Sequence, residues 1–245
     1  MKLPQQIQYF HRDQQQAIAL LEQVLGELTL GQSERDVLEI LYKRSPEFGF
    51  TGWVRTPVVH FDYRLSLRFG PSDSRCLQRG SVVQIHLQPS SPQAFANTGV
   101  SFTFQSGQLP IVEQAKELCI ATCTFASHFK RAGELYVFAD SWCNNHRNTL
   151  NKSSIGHICL SPDQASVPPF PWPTNMRIRS QLRRHQLQWY NPRELNGIYA
   201  VHPDIKQDGR RAGFAEMIYI DETMRIALGR DDFGEICTFQ WDGSP

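Results

Sequence analysis

Apolar residues recur at helical spacing in several stretches of the chain, which is typical of amphipathic helices. The clearest stripe predicts a helix over 12–28. A second helix is predicted over 33–43, where Ser33 stands at a typical N-cap position. Later stretches predict a longer helix over 111–129 and a shorter one over 133–145. The first stripe consists of Ala17, Leu20, Leu21, Val24 and Leu25.

Short runs rich in β-branched and aromatic residues lie between and after these helices. Glycine or proline bounds most of them, as is typical of strands. Each of the last three runs contains a side chain that can ionise or bind a metal ion. The predicted strand regions are 57–61, 81–88, 99–104, 155–160, 196–202 and 213–220.

His86 shares one face of its predicted strand with Gln84 and Gln88, because side chains alternate between the two faces of a strand. Asn97 lies just before the next strand, and turn-forming residues over 89–92 separate the two. We therefore expect a hairpin on which His86 and Asn97 converge. Taken alone, such a hairpin more often means an ordinary polar strand face with a capping asparagine.

Three further side chains, His157, His202 and Glu216, lie in or beside apolar strand regions. Burying an ionisable group costs free energy unless the group is paired or binds a metal ion. One such histidine is usually a hydrogen-bonded residue of the core. Several of them in one chain favour a metal site.

These motifs, taken in order over roughly residues 15–235, resemble those of the pita-bread family of methionine aminopeptidases, Xaa-Pro aminopeptidases, prolidases and creatinase. The resemblance implies an α+β protein with two pseudo-symmetric α/β halves around a central curved antiparallel sheet. It also implies a single catalytic-type domain over residues 1–245, with no separate N-terminal domain. The matching segments are Gly80–His86, Asn97–Thr98, Gly156–His157, Gly197–Pro203 and Glu216.

The resemblance also implies a ligand set, although most of the identities differ. The family places Asp, Asp, His, Glu and Glu at its five metal-binding positions. In this sequence those positions carry His86, Asn97, His157, His202 and Glu216. The segment that ends at His60 resembles the aminopeptidase segment that carries an outer histidine. The resemblance therefore predicts catalytic roles for His86, His202 and His60.

Charge counting limits the metal content of such a site. Only Glu216 is anionic, so two divalent ions would leave a large uncompensated charge in a semi-buried pocket. We therefore expect one divalent transition metal ion held by His157, His202 and Glu216. His86 is expected as a fourth ligand or a supporting group, and Asn97 as a weak ligand or a hydrogen-bonding group. Imidazole ligands favour Fe(II), and Cu, Zn, Mn and Co remain open.

Three functions fit these features. The first is a non-haem iron or copper oxidase or oxygenase that acts on a small organic or amino-acid-like substrate. The second is a single-metal aminopeptidase-like hydrolase, and the third is a catalytically inactive binding homologue. Metal content separates the third from the others, and oxygen consumption separates the first from the second.

Composition narrows the remaining choices. The net charge is +1, and no apolar run is long enough to span a membrane, so we expect a cytoplasmic protein with no membrane or nucleic-acid partner. A homodimer remains open. The six cysteines show no C-x-x-C spacing and are expected to be free thiols.

Two segments of the second half of the chain each have two interpretations. The proline-rich segment 168–173 is expected either to form a wall of the substrate site or to be a structural loop cover. The arginine cluster over 177–184 is expected either to be solvated or to bind an anionic substrate group.

Overall fold

The computed structural model describes residues 5–62, 75–150, 154–160, 186–220, 224–228 and 239–240. The predictions for the proline-rich segment 168–173 and for the arginine cluster 177–184 lie outside the described residues. Among the residues that the structure does describe, no helix is both long enough and apolar enough to cross a membrane.

Four α-helices lie close to the predicted positions. The first begins earlier than predicted because Ile7 and Phe10 extend its buried stripe, and Phe10 packs edge-on against Phe95 with ring centroids 5.2 Å apart. Two short 3₁₀ turns, Ser45–Phe48 and Ala126–His128, follow the second and third helices. The α-helices are α1 (Gln5–Gly26), α2 (Glu34–Arg44), α3 (Pro110–Phe125) and α4 (Ala132–Asn145).

Within the part of the chain that the structure describes, the strands are antiparallel and form four small sheets with the orders β1-β4, β2-β3-β5, β10-β9-β6 and β13-β12-β11-β8-β7. They are β1 (Gly52–Trp53), β2 (Val58–Phe61), β3 (Val82–Leu87), β4 (Pro89–Ser90), β5 (Thr98–Thr103), β6 (Thr149–Leu150), β7 (Gly156–Leu160), β8 (Gly197–Val201), β9 (Asp204–Gln207), β10 (Arg210–Gly213), β11 (Glu216–Ile220), β12 (Met224–Ala227) and β13 (Phe239–Gln240). Part of the predicted turn over 89–92 is therefore strand β4, which pairs with β1.

The element order repeats once along the chain, since α1 and α2 precede one group of strands and α3 and α4 precede the other. A two-way main-chain contact joins the two groups. Gly99 N donates to Ala215 O at 3.2 Å, and Ala215 N donates to Gly99 O at 3.0 Å. Ser101 on β5 also bonds both the N–H and the carbonyl of Gly213. These contacts join the strands of the two halves at the centre of the fold.

Each of these sheets has two faces with different surroundings. The side chains of Val83 and Ile85 on β3, and those of Tyr199 and Val201 on β8, belong to the main core, which also contains the apolar faces of the helices. By strand alternation, Gln84 and His86 lie on the opposite face of β3. That second face carries most of the polar side chains considered below.

Candidate functional site

Three histidines come together in the structure, His86 on β3, His157 on β7 and His202 directly after β8. His157 Nδ1 lies 3.2 Å from His202 Nε2. The ring centroids are 5.3 Å apart for this pair and 5.6 Å apart for His86 and His202. The pairing of β7 with β8 explains the contact, because His157 lies opposite Ala200 and the N–H of His202 donates to Ile155 O at 2.7 Å.

His86 and Asn97 also converge. His86 lies on β3 opposite Gly99 of β5, two residues beyond Asn97, and Asn97 Oδ1 stands 2.6 Å from His86 Nε2. The two side chains are within hydrogen-bonding distance, and the tautomer of the His86 ring decides which of them donates. Asn97 is fully buried, and its Nδ2 has no hydrogen-bond partner among the described residues.

His60 lies on the same sheet face as His86. On strand β2 it is directly opposite Gln84, while Val58 is opposite His86. The His60 side chain is buried, so it lines the polar face from within the fold. Its predicted role near the substrate stays a prediction.

Glu216 occupies a different environment from the three histidines. It lies opposite Val201, whereas the next residue, Met217, is in register with Ala200 and His157. Alternation therefore assigns Glu216 and His157 to opposite faces of this sheet. Glu216 Oε1 accepts hydrogen bonds from Gln14 Nε2 at 2.5 Å and from its neighbour's N–H at 2.9 Å.

A second observation agrees with this placement. A hydrogen bond with Cys119 and burial raise the pKa of the Cys123 thiol, and the Glu216 carboxylate contributes to the same shift. Both cysteines lie on α3. The Glu216 carboxylate is therefore near the helix layer of the fold.

A narrow pocket of about 10 Å³, enough for about one water molecule, lies beside the histidines. Ala215 lines it where the two halves join, and its one carboxylate, Asp204, is held by Arg211. Arg211 Nε donates to Asp204 Oδ1 at 2.7 Å, and Arg211 Nη2 contacts Oδ2 of the same side chain. The positive charge of Arg211 thus balances the carboxylate of the pocket. The pocket lining includes Gln84, His86, His202, Asp204, Phe214 and Ala215.

The fit of this site to a metal ion is partial. Across the described ranges, no group of three or more His, Cys, Asp or Glu side chains stands close enough together to hold a metal ion. Two imidazole nitrogens bound at about 2.0–2.1 Å to one ion would be about 2.9 Å apart at right angles and about 3.4 Å apart at the tetrahedral angle. The observed 3.2 Å between His157 Nδ1 and His202 Nε2 lies between these values.

Comparison with solved structures identifies the fold. An X-Pro aminopeptidase from Thermotoga maritima superposes with a TM-score of 0.72 at 14% identity, over 94% of this chain and 62% of the other. A prolidase from Pyrococcus furiosus gives a TM-score of 0.70 at 15% identity, over 94% and 65%. A methionine aminopeptidase from Thermotoga maritima gives a TM-score of 0.69 at 13% identity, over 94% and 98%.

This chain has the pita-bread fold. The predicted α+β architecture and the predicted resemblance are confirmed. The chain spans less than two thirds of the length of the X-Pro aminopeptidase and the prolidase that it matches. No protein-family model matches the sequence, and comparison with curated proteins also gives no match.

Two features of the candidate site were not predicted from the sequence. Gln14 on α1 is fully buried and contacts both Glu216 and the backbone of Asn97. Its signal was available, since Gln14 falls in phase with Ala17 and Leu21 and interrupts an apolar stripe. The ion pair of Asp204 with Arg211 was also missed, and its local sign is a short hairpin with an aspartate on one strand and arginines on the other.

Cys159 lies beside the candidate site, and among the described residues its thiol forms no hydrogen bond with any of the three histidine side chains. Its thiol is 4.0 Å from the carbonyl oxygen of His157, and the pairing of β7 with β8 shifts register between Ile158 and Leu160. Burial raises the pKa of the Cys159 thiol well above its usual range. A neutral thiol in this position packs as a small apolar side chain.

Proposed function

We propose that this chain is a metal-dependent enzyme that holds a single transition metal ion between His157 and His202, with His86 as the third imidazole of the site. The observation that carries the proposal is the 3.2 Å separation of two imidazole nitrogens on one face of the sheet. That separation suits two ligands of one ion.

The charges around the pocket favour one ion over two. Asp204 is balanced by Arg211, and Glu216 lies on the other face of the sheet with Gln14. Two divalent ions would then face neutral imidazoles with little compensating charge, which is electrostatically costly. Iron is the metal that we propose first, and copper or zinc also accepts imidazole ligands.

The reaction that we propose first is the oxygen-dependent oxidation of a small organic or amino-acid-like substrate. A metal ion with few protein ligands keeps open positions at which dioxygen and substrate can be activated. The chain itself would supply binding groups. Gln84 lines the pocket, and His60 lies directly opposite Gln84 on the same face of the sheet.

Hydrolysis of a peptide or dipeptide is the second candidate. The similarity of fold to an X-Pro aminopeptidase and a prolidase favours it. A single zinc ion with imidazole ligands can activate water for attack on a carbonyl group. In that case the same histidines would hold the ion, and the substrate would be a short peptide.

Metal analysis of protein purified without added metal tests the proposal. We expect about one equivalent of a transition metal per chain, and much less in a His157→Ala, His202→Ala double variant. Two equivalents would contradict the charge argument. Metal-free protein that also fails to bind added Fe(II), Cu(II) or Zn(II) would favour the binding homologue.

Parallel aerobic and anaerobic incubations separate the two reactions. The substrates are a set of dipeptides and a set of amino acids and small aromatic compounds. Oxygen uptake coupled to substrate loss supports oxidation. Dipeptide cleavage at the same rate without oxygen would replace the first reaction by the second.

A further inference from the structure

Gln14 makes an unusually complete set of hydrogen bonds for a side chain in the middle of a helix. Its Oε1 accepts from Asn97 N at 3.0 Å. Its Nε2 donates to Asn97 O at 3.1 Å and to Glu216 Oε1 at 2.5 Å. The backbone N–H only donates and the carboxylate only accepts, so the orientation of the Gln14 amide is fixed by its partners.

Gln14 holds the segment 91–97 at Asn97, and the residues next to Gln14 hold the same segment at Ser91. Asp13 is fully buried, and its Oδ2 accepts from Ser91 Oγ at 2.6 Å. Arg12 donates to Asp13 and also contacts Ser91. One turn of α1 therefore holds both ends of the segment 91–97, which leads into β5.

We infer that Gln14 and Glu216 act as a positioning pair, in which the Gln14 amide joins the buried carboxylate to the backbone of Asn97 and so fixes the hydrogen bond between His86 and Asn97. Asn97 is the link, because its backbone is held by Gln14 while its side-chain oxygen stands 2.6 Å from His86 Nε2. The pair thereby holds the Asn97 side chain within hydrogen-bonding distance of His86 Nε2.

The effect on metal binding rests on the proposed function, whereas the effect on the contact between His86 and Asn97 does not. Groups that hydrogen-bond a metal-binding histidine, or orient it, change metal affinity by about 10- to 100-fold when they are removed. Glu216 would then support the site from the opposite face of the sheet. This role is an alternative to the predicted role of Glu216 as a direct ligand.

Three single variants and one double variant separate a positioning pair from a direct ligand. Glu216→Gln keeps an oxygen acceptor for Gln14 and for the Met217 N–H, but it removes the charge. Gln14→Met keeps the side-chain volume and removes all three hydrogen bonds. Gln14→Glu opposes two carboxylates, and adding Glu216→Gln to it restores a donor between them. Gln8→Met, at an exposed position of the same helix, is the control.

The first readout is the set of imidazole ¹⁵N shifts in metal-free protein, with the His86 signals assigned by their loss in His86→Asn. We expect these signals to move in Gln14→Met and Gln14→Glu, and to stay near wild type in Glu216→Gln and in the control. The double variant should return them at least part of the way. Unchanged His86 signals in Gln14→Met would overturn the inference.

The second readout is titration with Zn²⁺. Gln14→Met should weaken binding by about 10- to 100-fold, and Glu216→Gln by less than about threefold, since its hydrogen bonds remain. Loss of Zn²⁺ binding in Glu216→Gln with unchanged His86 signals would make Glu216 a direct ligand and overturn the inference. If no protein binds Zn²⁺ but the His86 signals still move as expected, the positioning pair stands and the proposed function fails.

Discussion

The contact between the His157 and His202 rings carries the proposed function at the scale of single residues. Each ring supplies one of the two nitrogens that lie 3.2 Å apart, so replacing either histidine by alanine removes one of these two nitrogens. His60 lies on a different sheet from these two, opposite Gln84 on the face that carries His86, so its loss should affect the substrate more than the metal.

We expect His157→Ala and His202→Ala each to abolish retention of the metal during gel filtration. His60→Ala should retain the metal and raise KM. His146→Ala is the matched control, because His146 is exposed and stacks on Trp142 with ring centroids 3.8 Å apart. Elemental analysis of the eluted protein measures the outcome. Normal retention in both strand variants would remove these two residues from the site.

Gly156 is a second residue on which the site depends, because it precedes His157 on β7. A Cβ atom at this position would collide with Ala200 O across the strand pair and come within 2.8 Å of Leu187 Cδ1. The strands cannot separate without breaking their hydrogen bonds. The missing side chain therefore keeps β7 close enough to β8 for the two histidines to meet.

Gly156→Ala should lower the free energy of unfolding by about 3 kcal/mol or more, as overpacking in a rigid core does. Gly26→Ala is the control, since nothing lies within 4 Å of its Cβ position, and it should change stability by less than about 1 kcal/mol. Urea unfolding of both variants gives the comparison. Equal midpoints would mean that β7 can shift without cost.

At the scale of elements, α2 shows how local sequence starts a helix. Ser33 Oγ accepts from Asp36 N at 3.1 Å, and Asp36 Oδ2 accepts from Ser33 N at 2.7 Å. These two bonds form a capping box. The backbone N–H and the hydroxyl of Ser33 hold the pKa of the Asp36 carboxyl below its usual value.

Ser33→Ala should therefore destabilise the protein by about 1 kcal/mol, and Ser33→Thr should retain most of the stability because it keeps the hydroxyl. Chemical denaturation at neutral pH measures both. The contribution of Asp36 has a defined pH dependence. Because its folded pKa is depressed, the stabilisation is fully present above the unfolded pKa and is lost as pH falls through the folded value.

The whole molecule controls the reactivity of the thiols. Cys76 is exposed, whereas Cys143 and Cys159 lie inside the fold. Burial, with a contribution from Asp140, raises the pKa of Cys143 to about 12, and burial also raises that of Cys159. Thiolates are the reactive species, so these two positions should react only when the fold opens.

In a Cys237→Ser background at pH 8, Cys76 should be alkylated within minutes, and Cys143 and Cys159 only at the rate of unfolding. Peptide mapping by mass spectrometry over time, with and without urea, identifies each site. The contrary outcome is that Cys143 is labelled without denaturant as fast as Cys76, at a rate proportional to reagent concentration. That outcome would show that the second half of the fold opens locally.

Interactions between residues close together in the sequence allowed much of this fold to be predicted. Helical spacing, the Ser33 cap and the apolar strand runs depend on residues within a few positions of one another, so the order of elements and the strands that carry His86, His157 and His202 could be predicted. The collinear motifs also indicated the pita-bread fold, which comparison with solved structures confirmed.

Tertiary structure alone decided which side chains meet. The phase of β11 follows from its pairing with β8, and that phase assigns Glu216 and His157 to opposite faces. The contact of Gln14 with Glu216 joins residues 202 positions apart. Such contacts are set by the packing of a helix and two sheets over long chain separations, and spacing along the sequence carries no record of them.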